Sequence, residues 1–195
     1  MNALDHVALV VEDLETTLHT LREIPGVPIG PIQEFPDEGT REVYLGEERQ
    51  AALLLMQPLN TDGPYAQALA KCGPGLHHIA LHVPSVELML EQLAGSGWYL
   101  HLQSISTLRR HRTVWLARPG VGVLVELHES QNQRTKPALV TQVEVPVHGP
   151  AKPLFEALRL TDVTTSPDRF AWIAVLHARL RTDQLCTRDP TTLKS

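Results

Sequence analysis

Leu4-Asp5-His6-Val7-Ala8-Leu9-Val10-Val11 and Leu76-His77-His78-Ile79-Ala80-Leu81-His82-Val83 read as two versions of one strand, each short, apolar and carrying a histidine near its start. The segments after the two strands are repeated as well. Asp13 stands where a helix cap is needed before Leu14, Leu18 and Leu21, and Ser85 does the same before Val86, Leu90 and Leu93. Pro25-Gly26 ends the first helix and Gly95-Ser96-Gly97 the second. Two strand-like runs then close each unit, at 41–45 and 51–56 in the first and at 113–116 and 121–128 in the second. The polar turn Gly46-Glu47-Glu48-Arg49 separates the first pair of runs. Val43-Tyr44-Leu45 aligns with Val114-Trp115-Leu116, and Ala52-Leu53-Leu54-Leu55 with Leu124-Val125-Glu126-Leu127 after a one-residue gap. A duplicated unit explains this spacing.

The expected fold class is therefore α+β: paired βαβββ modules, at about 3–59 and 75–129, forming a curved mixed sheet around a cavity within a domain 1–131. Residues 60–74 read as the link between modules. The segment 137–195 is left over. Its run Val140-Thr141-Gln142-Val143-Glu144-Val145-Pro146-Val147 followed by an apolar stretch repeats the strand-then-helix opening, with Gln142 at the place of His6. It is expected to be a partial third β-α unit, with Pro146 marking an edge strand, and either to pack on the sheet or to mediate a homodimer through an unsatisfied edge.

Side chains alternate along a strand, so His6, Ala8 and Val10 share a face, as do His78, Ala80 and His82, and Leu124, Glu126 and His128. If the duplicated strands pair, the two histidines converge with Glu126. Two imidazoles and a carboxylate suit a first-row divalent metal and leave coordination positions open. By the same parity, His77 points to the opposite face and serves packing or hydrogen bonding.

Composition excludes several classes. The formal net charge is −5 and aromatics make up 5% of the chain, which gives no electrostatic footprint for a phosphate backbone. Nucleic acid is not expected as a partner. The N-terminal stretch is acidic (Asp5, Glu12, Asp13, Glu15) and no apolar run approaches the roughly 18 residues of a membrane span, so a cytoplasmic protein with no membrane partner is expected. Cys72 and Cys186 lie outside any metal-binding or redox spacing.

Asp5-His6-Val7-Ala8-Leu9-Val10-Val11-Glu12-Asp13-Leu14, Gln57-Pro58-Leu59-Asn60, Gly63-Pro64-Tyr65-Ala66, Gly75-Leu76-His77-His78-Ile79-Ala80 and Gly122-Val123-Leu124-Val125-Glu126-Leu127 occur in an order that resembles the vicinal-oxygen-chelate (glyoxalase-type) superfamily, and within it the methylmalonyl-CoA epimerases. The resemblance covers about residues 3–129. It implies His6, His78 and Glu126 as ligands of a divalent metal (Co, Mn, Ni, Zn or Fe). It also implies a small-molecule substrate such as a CoA thioester, and proton transfer beside a carbonyl. A fourth ligand, a Gln or Glu in that family, falls on Leu54, which cannot coordinate; Gln50 and Gln57 do not replace it. One catalytic base maps to Glu42, which composition alone reads as a solvated carboxylate, and Glu126 doubles as ligand and neighbouring base. Two other readings stay open on the same residues: a non-haem iron oxygenase using a 2-His-1-Glu site, and a small-molecule binding protein in which Leu54 contributes apolar contact.

Ser106-Thr107-Leu108-Arg109-Arg110-His111-Arg112 replaces a glycine-rich loop of the epimerases. Its guanidinium groups are candidates for phosphate or carboxylate contacts, against the alternative of a solvated loop. His82 and His128 lie further along the cavity face, as acid/base groups or as surface histidines.

Overall fold

The computed structural model describes residues 2–46, 50–102, 104–130, 137–147, 149, 152–158 and 160–186. Glu47, Glu48 and Arg49 of the expected polar turn, and the linker 131–136, lie outside the described residues.

The first unit runs β1 (Ala3–Val10), α1 (Leu14–Arg22), β2 (Gln33–Phe35), β3 (Thr40–Leu45) and β4 (Ala52–Pro58). Asp13 caps α1 by accepting from the Thr16 N–H, a contact whose loss costs about 1 kcal/mol. Leu14, Leu18 and Leu21 form the buried stripe of that helix. After α2 (Pro64–Cys72), the second unit runs β5 (Gly75–Val83), α3 (Val86–Leu93), β6 (Tyr99–Leu100), α4 (Ser104–His111), β7 (Thr113–Ala117) and β8 (Leu124–Glu129). Ser85 caps α3 by accepting from the Leu88 N–H.

Two connecting stretches, one read as a link and one as a loop, are helical. The link between modules contains α2, which starts with Pro64 in its first turn and stops at Gly73, where φ is 78°. The Arg-rich stretch is α4 rather than a loop.

Strands β1–β8 form one sheet in the order β2-β3-β4-β1-β5-β8-β7-β6. Within each module the first strand pairs in parallel with the last, β1 with β4 and β5 with β8, and the modules join through antiparallel β1 and β5. The face carrying Val7, Leu9, Leu53, Leu55, Ile79, Leu81, Val125 and Leu127 is covered by α1 and α3 in one apolar core.

The expected curved sheet around a cavity, with a partial third unit appended, is not what forms. Among the described residues two mixed sheets with interspersed helices are present, and the larger is open, with β2 and β6 at its edges. The pocket gets its other walls from α2, from Phe35 at the end of β2 with Asp37 and Glu38 after it, and from Thr107 on α4. The C-terminal segment is also more than a β-α fragment. It has β9 (Val140–Pro146), α5 (Lys152–Leu158), β10 (Val163–Ser166), β11 (Trp172–Val175), β12 (Ala178–Arg181) and α6 (Thr182–Leu185). With four strands it satisfies its backbone in its own sheet, ordered β10-β9-β11-β12. Its first strand pairs in parallel with the strand after the helix, β10, not with the last strand, so it does not repeat the pairing of the first two units. Val143, Val145, Leu154, Val163 and Ile173 join the same core as the helices. The Val140 N–H donates to the Ala51 carbonyl at 2.9 Å, and Phe155 stands edge-on to Trp98. Cys186 is buried there and burial pushes its thiol up, while Cys72 is exposed.

Candidate metal centre

His6 on β1, His78 on β5 and Glu126 on β8 come together on the sheet face opposite the main core. The two Nε2 atoms are 3.1 Å apart, and Glu126 Oε2 lies 4.0 Å from His6 Nε2 and 3.8 Å from His78 Nε2. All three residues are buried. Separations of this size fit donors that share one ion at about 2.0–2.2 Å each, and two neutral imidazoles with one carboxylate are a donor set for a divalent first-row metal. The residues fit the metal the sequence implied.

Position on this face is set by two irregularities in the β1–β5 pairing. Register runs Leu4↔Leu81, then His6↔Ala80, so Asp5 is an extra residue on β1; it runs Ala8↔His78, then Leu9↔Leu76, so His77 is an extra residue on β5. A bulge reverses side-chain parity across the inserted residue. Leu4 accordingly shares the main core with Val7 and Leu9, and Leu76 packs against it beside Ile79. The expectation that His77 faces away from the site is thereby overturned. Its ring packs at 5.2 Å from that of Tyr65, a residue of the pocket wall, and its Nδ1 is 2.9 Å from His78 Nδ1. Asp5 occupies the equivalent place on β1, with Oδ2 accepting from His6 Nδ1 at 2.8 Å and Oδ1 pairing with His82 Nε2 at 2.9 Å. Burial opposes the ionisation of Asp5, but the hydrogen bonds from His6 and His82 outweigh it and hold the carboxyl well below the usual range. Burial pushes the His77 ring down to about 4, with the charge of His101 adding to it, and His78 is driven down by burial and by the rings around it. Both stay neutral near pH 7.

The centre opens into a pocket of about 620 Å³ whose walls include Tyr44, Leu54, Met56, Tyr65, Trp115 and His128. Tyr44 stands edge-on to His6 at 5.7 Å and Trp115 edge-on to His78 at 4.7 Å. Leu54, at the expected place of a fourth ligand, is 4% exposed and packs with Ala8, Val10 and Met56 under Tyr65 and Leu69 of α2. Gln57 does not substitute for it, because its Oε1 accepts from the Leu14 N–H at the start of α1.

Glu42 on β3 is not the solvated carboxylate that composition suggests. It is 8% exposed, lines the pocket, and accepts from Thr40 Oγ1 at 2.7 Å. Burial raises its pKa, and the Thr40 hydrogen bond only partly offsets that. His128 also lines the pocket, 3.4 Å from Glu126 Oε2, with Thr113 Oγ1 at 3.0 Å from its Nδ1. Burial works against protonation of His128, but the adjacent Glu126 carboxylate outweighs it and raises the pKa. His82 is drawn to Asp5 instead. Arg112 is committed to Glu129 and Glu87, whereas Arg109 and Arg110 stay exposed on α4. Sequence parity misses Asp5 and His77 because each is itself the extra residue of a bulge, and it misses Tyr65 because that residue sits on α2, outside any strand.

Fold and donor set together define a class. Residues 5–116 match the glyoxalase/bleomycin resistance protein/dioxygenase superfamily, and the chain belongs to it. Among its relatives, human mitochondrial methylmalonyl-CoA epimerase is 30% identical over 135 residues, 67% of this chain and 75% of that protein. The ethylmalonyl-CoA/methylmalonyl-CoA epimerase of Cereibacter sphaeroides is 30% identical over 95 residues, 48% of this chain and 70% of that protein. The crystal structure of methylmalonyl-CoA epimerase from Mycobacterium tuberculosis is similar with a TM-score of 0.50 at 27% identity, covering 66% of this chain and 88% of that one. Among the described residues, no helix is long and apolar enough to cross a membrane.

Proposed function

We propose that this protein is a metal-dependent epimerase that moves the proton on the carbon beside a carbonyl of a CoA thioester or similar substrate. The observation that carries the reading is that a buried His-His-Glu donor set and a separate buried carboxylate, Glu42, share one pocket. His6, His78 and Glu126 would hold a divalent ion, which would supply Lewis-acid polarisation of a substrate carbonyl and so a more acidic neighbouring C–H. Glu42 takes that proton. Its raised pKa makes it a stronger base than a solvated glutamate, and the Thr40 hydroxyl fixes which oxygen is free. Glu126 lines the same pocket from the module-two side and is the neighbouring carboxylate, and inversion requires that a proton from solvent return to the carbon on the face away from Glu42. Tyr44 and Trp115 stand edge-on to the two imidazoles and hold the rings in place. The names of the relatives support a methylmalonyl- or ethylmalonyl-CoA type of substrate. The same reading takes residues 1–131 as the catalytic domain, 137–195 as its extension, and the molecule as a cytoplasmic homodimer.

The test is deuterium uptake from solvent at C2 of methylmalonyl-CoA, followed by mass spectrometry. Metal-loaded protein incorporates label, and Glu42→Gln slows uptake by about 10²–10⁴-fold, the range of general base catalysis. No uptake by the metal-loaded protein overturns the proposal, and oxygen consumption dependent on ferrous iron would replace it with the oxygenase reading.

A further inference from the structure

The two bulges are related as the modules are. Each inserts one residue immediately before a ligand histidine, and each inserted side chain meets the Nδ1 of that histidine: Asp5 Oδ2 at 2.8 Å from His6 Nδ1, and His77 Nδ1 at 2.9 Å from His78 Nδ1. Without the bulges, strand alternation would turn Asp5 and His77 to the opposite face. An imidazole whose Nδ1 carries the hydrogen presents its Nε2 lone pair, and in this structure the two Nε2 atoms face each other at 3.1 Å and face Glu126. A carboxylate can only accept, so Asp5 fixes the Nδ1–H form of His6. The pair of Nδ1 atoms in His77 and His78 can hold only one hydrogen between them. For His78 to offer Nε2 to an ion, that hydrogen is on His78, and His77 is the acceptor with its own hydrogen on Nε2.

We infer that Asp5 and His77 are paired positioning residues, delivered by the duplicated β-bulges, which lock His6 and His78 in the tautomer and ring orientation that bind a divalent cation through Nε2. The inference rests on the metal-binding reading of His6, His78 and Glu126 and deepens it. The supports differ in chemistry. Asp5 is an anion that also holds His82, whereas His77 is a neutral ring seated against Tyr65. Loss of Asp5 therefore has the larger effect, because it removes a charge-assisted hydrogen bond as well as the orientation. Outer partners of metal-bound histidines are worth roughly 10–100-fold in affinity, and that is the scale expected here.

The experiment is Co(II) binding by chelator competition, read together with the visible spectrum of the bound ion, on the full chain. Asp5→Ala and His77→Ala weaken binding by roughly 10–100-fold and shift the spectrum. Asp5→Asn and His77→Asn, which offer an acceptor oxygen near the lost Oδ2 and Nδ1, restore part of the affinity, less for Asp5 because its charge is gone. Affinities within twofold of wild type with an unchanged spectrum overturn the inference, as does failure of both asparagine variants to improve on alanine. Should the alanine variants not fold, nitrogen-15 NMR of the wild-type histidines with Zn(II) bound decides the matter. Nδ1–H forms of both His6 and His78 support it, and an Nε2–H form of either overturns it. Wild-type protein that binds Co(II) but exchanges no substrate proton counts against the epimerase reading alone, and wild-type protein that binds no divalent ion removes both.

Discussion

Module one and module two place different chemistry on the same positions. Ala8 pairs with Leu54 across β1 and β4, and Ala80 pairs with Glu126 across β5 and β8, so Leu54 and Glu126 are equivalent. Tyr44 pairs with Leu54 as Trp115 pairs with Glu126, and Glu42 pairs with Met56 as Thr113 pairs with His128. The matched sets on the pocket face are then His6 with His78, Leu54 with Glu126, Tyr44 with Trp115, Met56 with His128 and Glu42 with Thr113. Backbone register, bulges and one histidine per module are common to both. Module two adds the third donor and a second imidazole close to it, and module one adds an apolar wall and a buried carboxylate. Duplication built the scaffold, and divergence at a few equivalent positions separated the third metal donor from the buried carboxylate Glu42.

The most severe way to break this comparison is to make module two resemble module one. Glu126→Leu leaves two imidazoles and no carboxylate, so bound metal per chain, measured by elemental analysis after dialysis, falls to background, and proton exchange falls with it. The loss exceeds the roughly 10–100-fold attached to outer partners of metal ligands. Retention of a full equivalent would show that the donor set is elsewhere.

Exchanging the other divergent pair is expected to separate binding from chemistry. Glu42→Thr gives module one the residue of module two, removes the carboxylate, and slows turnover by about 10²–10⁴-fold, while metal content stays at the wild-type level because Glu42 is not among the three donors. The pH profile adds a second check. The active form of a base is the ionised one, and burial has raised the pKa of Glu42 above that of an ordinary glutamate. Activity is therefore lost as pH falls, starting at a higher pH than a solvated glutamate would give. Steady-state rates across the acid range should show that limb in the wild type and not in the variant.

The duplication and the metal ligands are legible because they rest on local signals: helix caps at Asp13 and Ser85, apolar spacing in α1 and α3, and alternation along β1, β5 and β8. Alternation locates His6 and His78 correctly because both bulges fall before the ligand, and it fails at His77 because the extra residue resets the count. No residue of α2 is fully buried, so the segment lacks the stripe that marks a helix against a core, and its roof over the site is not legible. Glu42 looks solvated in the sequence because its burial depends on distant parts of the chain that line the same pocket, including Tyr65 and His6. The C-terminal unit has the same strand and helix order as the modules, but nothing local in Val140 and its neighbours says which later strand will lie beside β9.

The smallest effect comes from pushing module one toward module two at the remaining position. Leu54→Gln puts an amide where the register places the mate of Glu126. Without metal this should destabilise the protein by about 1–3 kcal/mol, because the amide enters the cluster of Ala8, Val10 and Met56 beneath Tyr65 and Leu69 with no apolar residue able to pair with it. With metal the amide oxygen gains a partner, and a neutral oxygen donor is a weak one, so affinity rises by about tenfold, equivalent to 1.4 kcal/mol. The sign difference between the two states is the informative part. Thermal melts of the variant should lie below wild type without metal and recover with it, and the metal-induced rise in Tm should exceed that of wild type. A variant equally destabilised in both states would mean that Leu54 is wall only, and that module one has lost its donor position along with its donor.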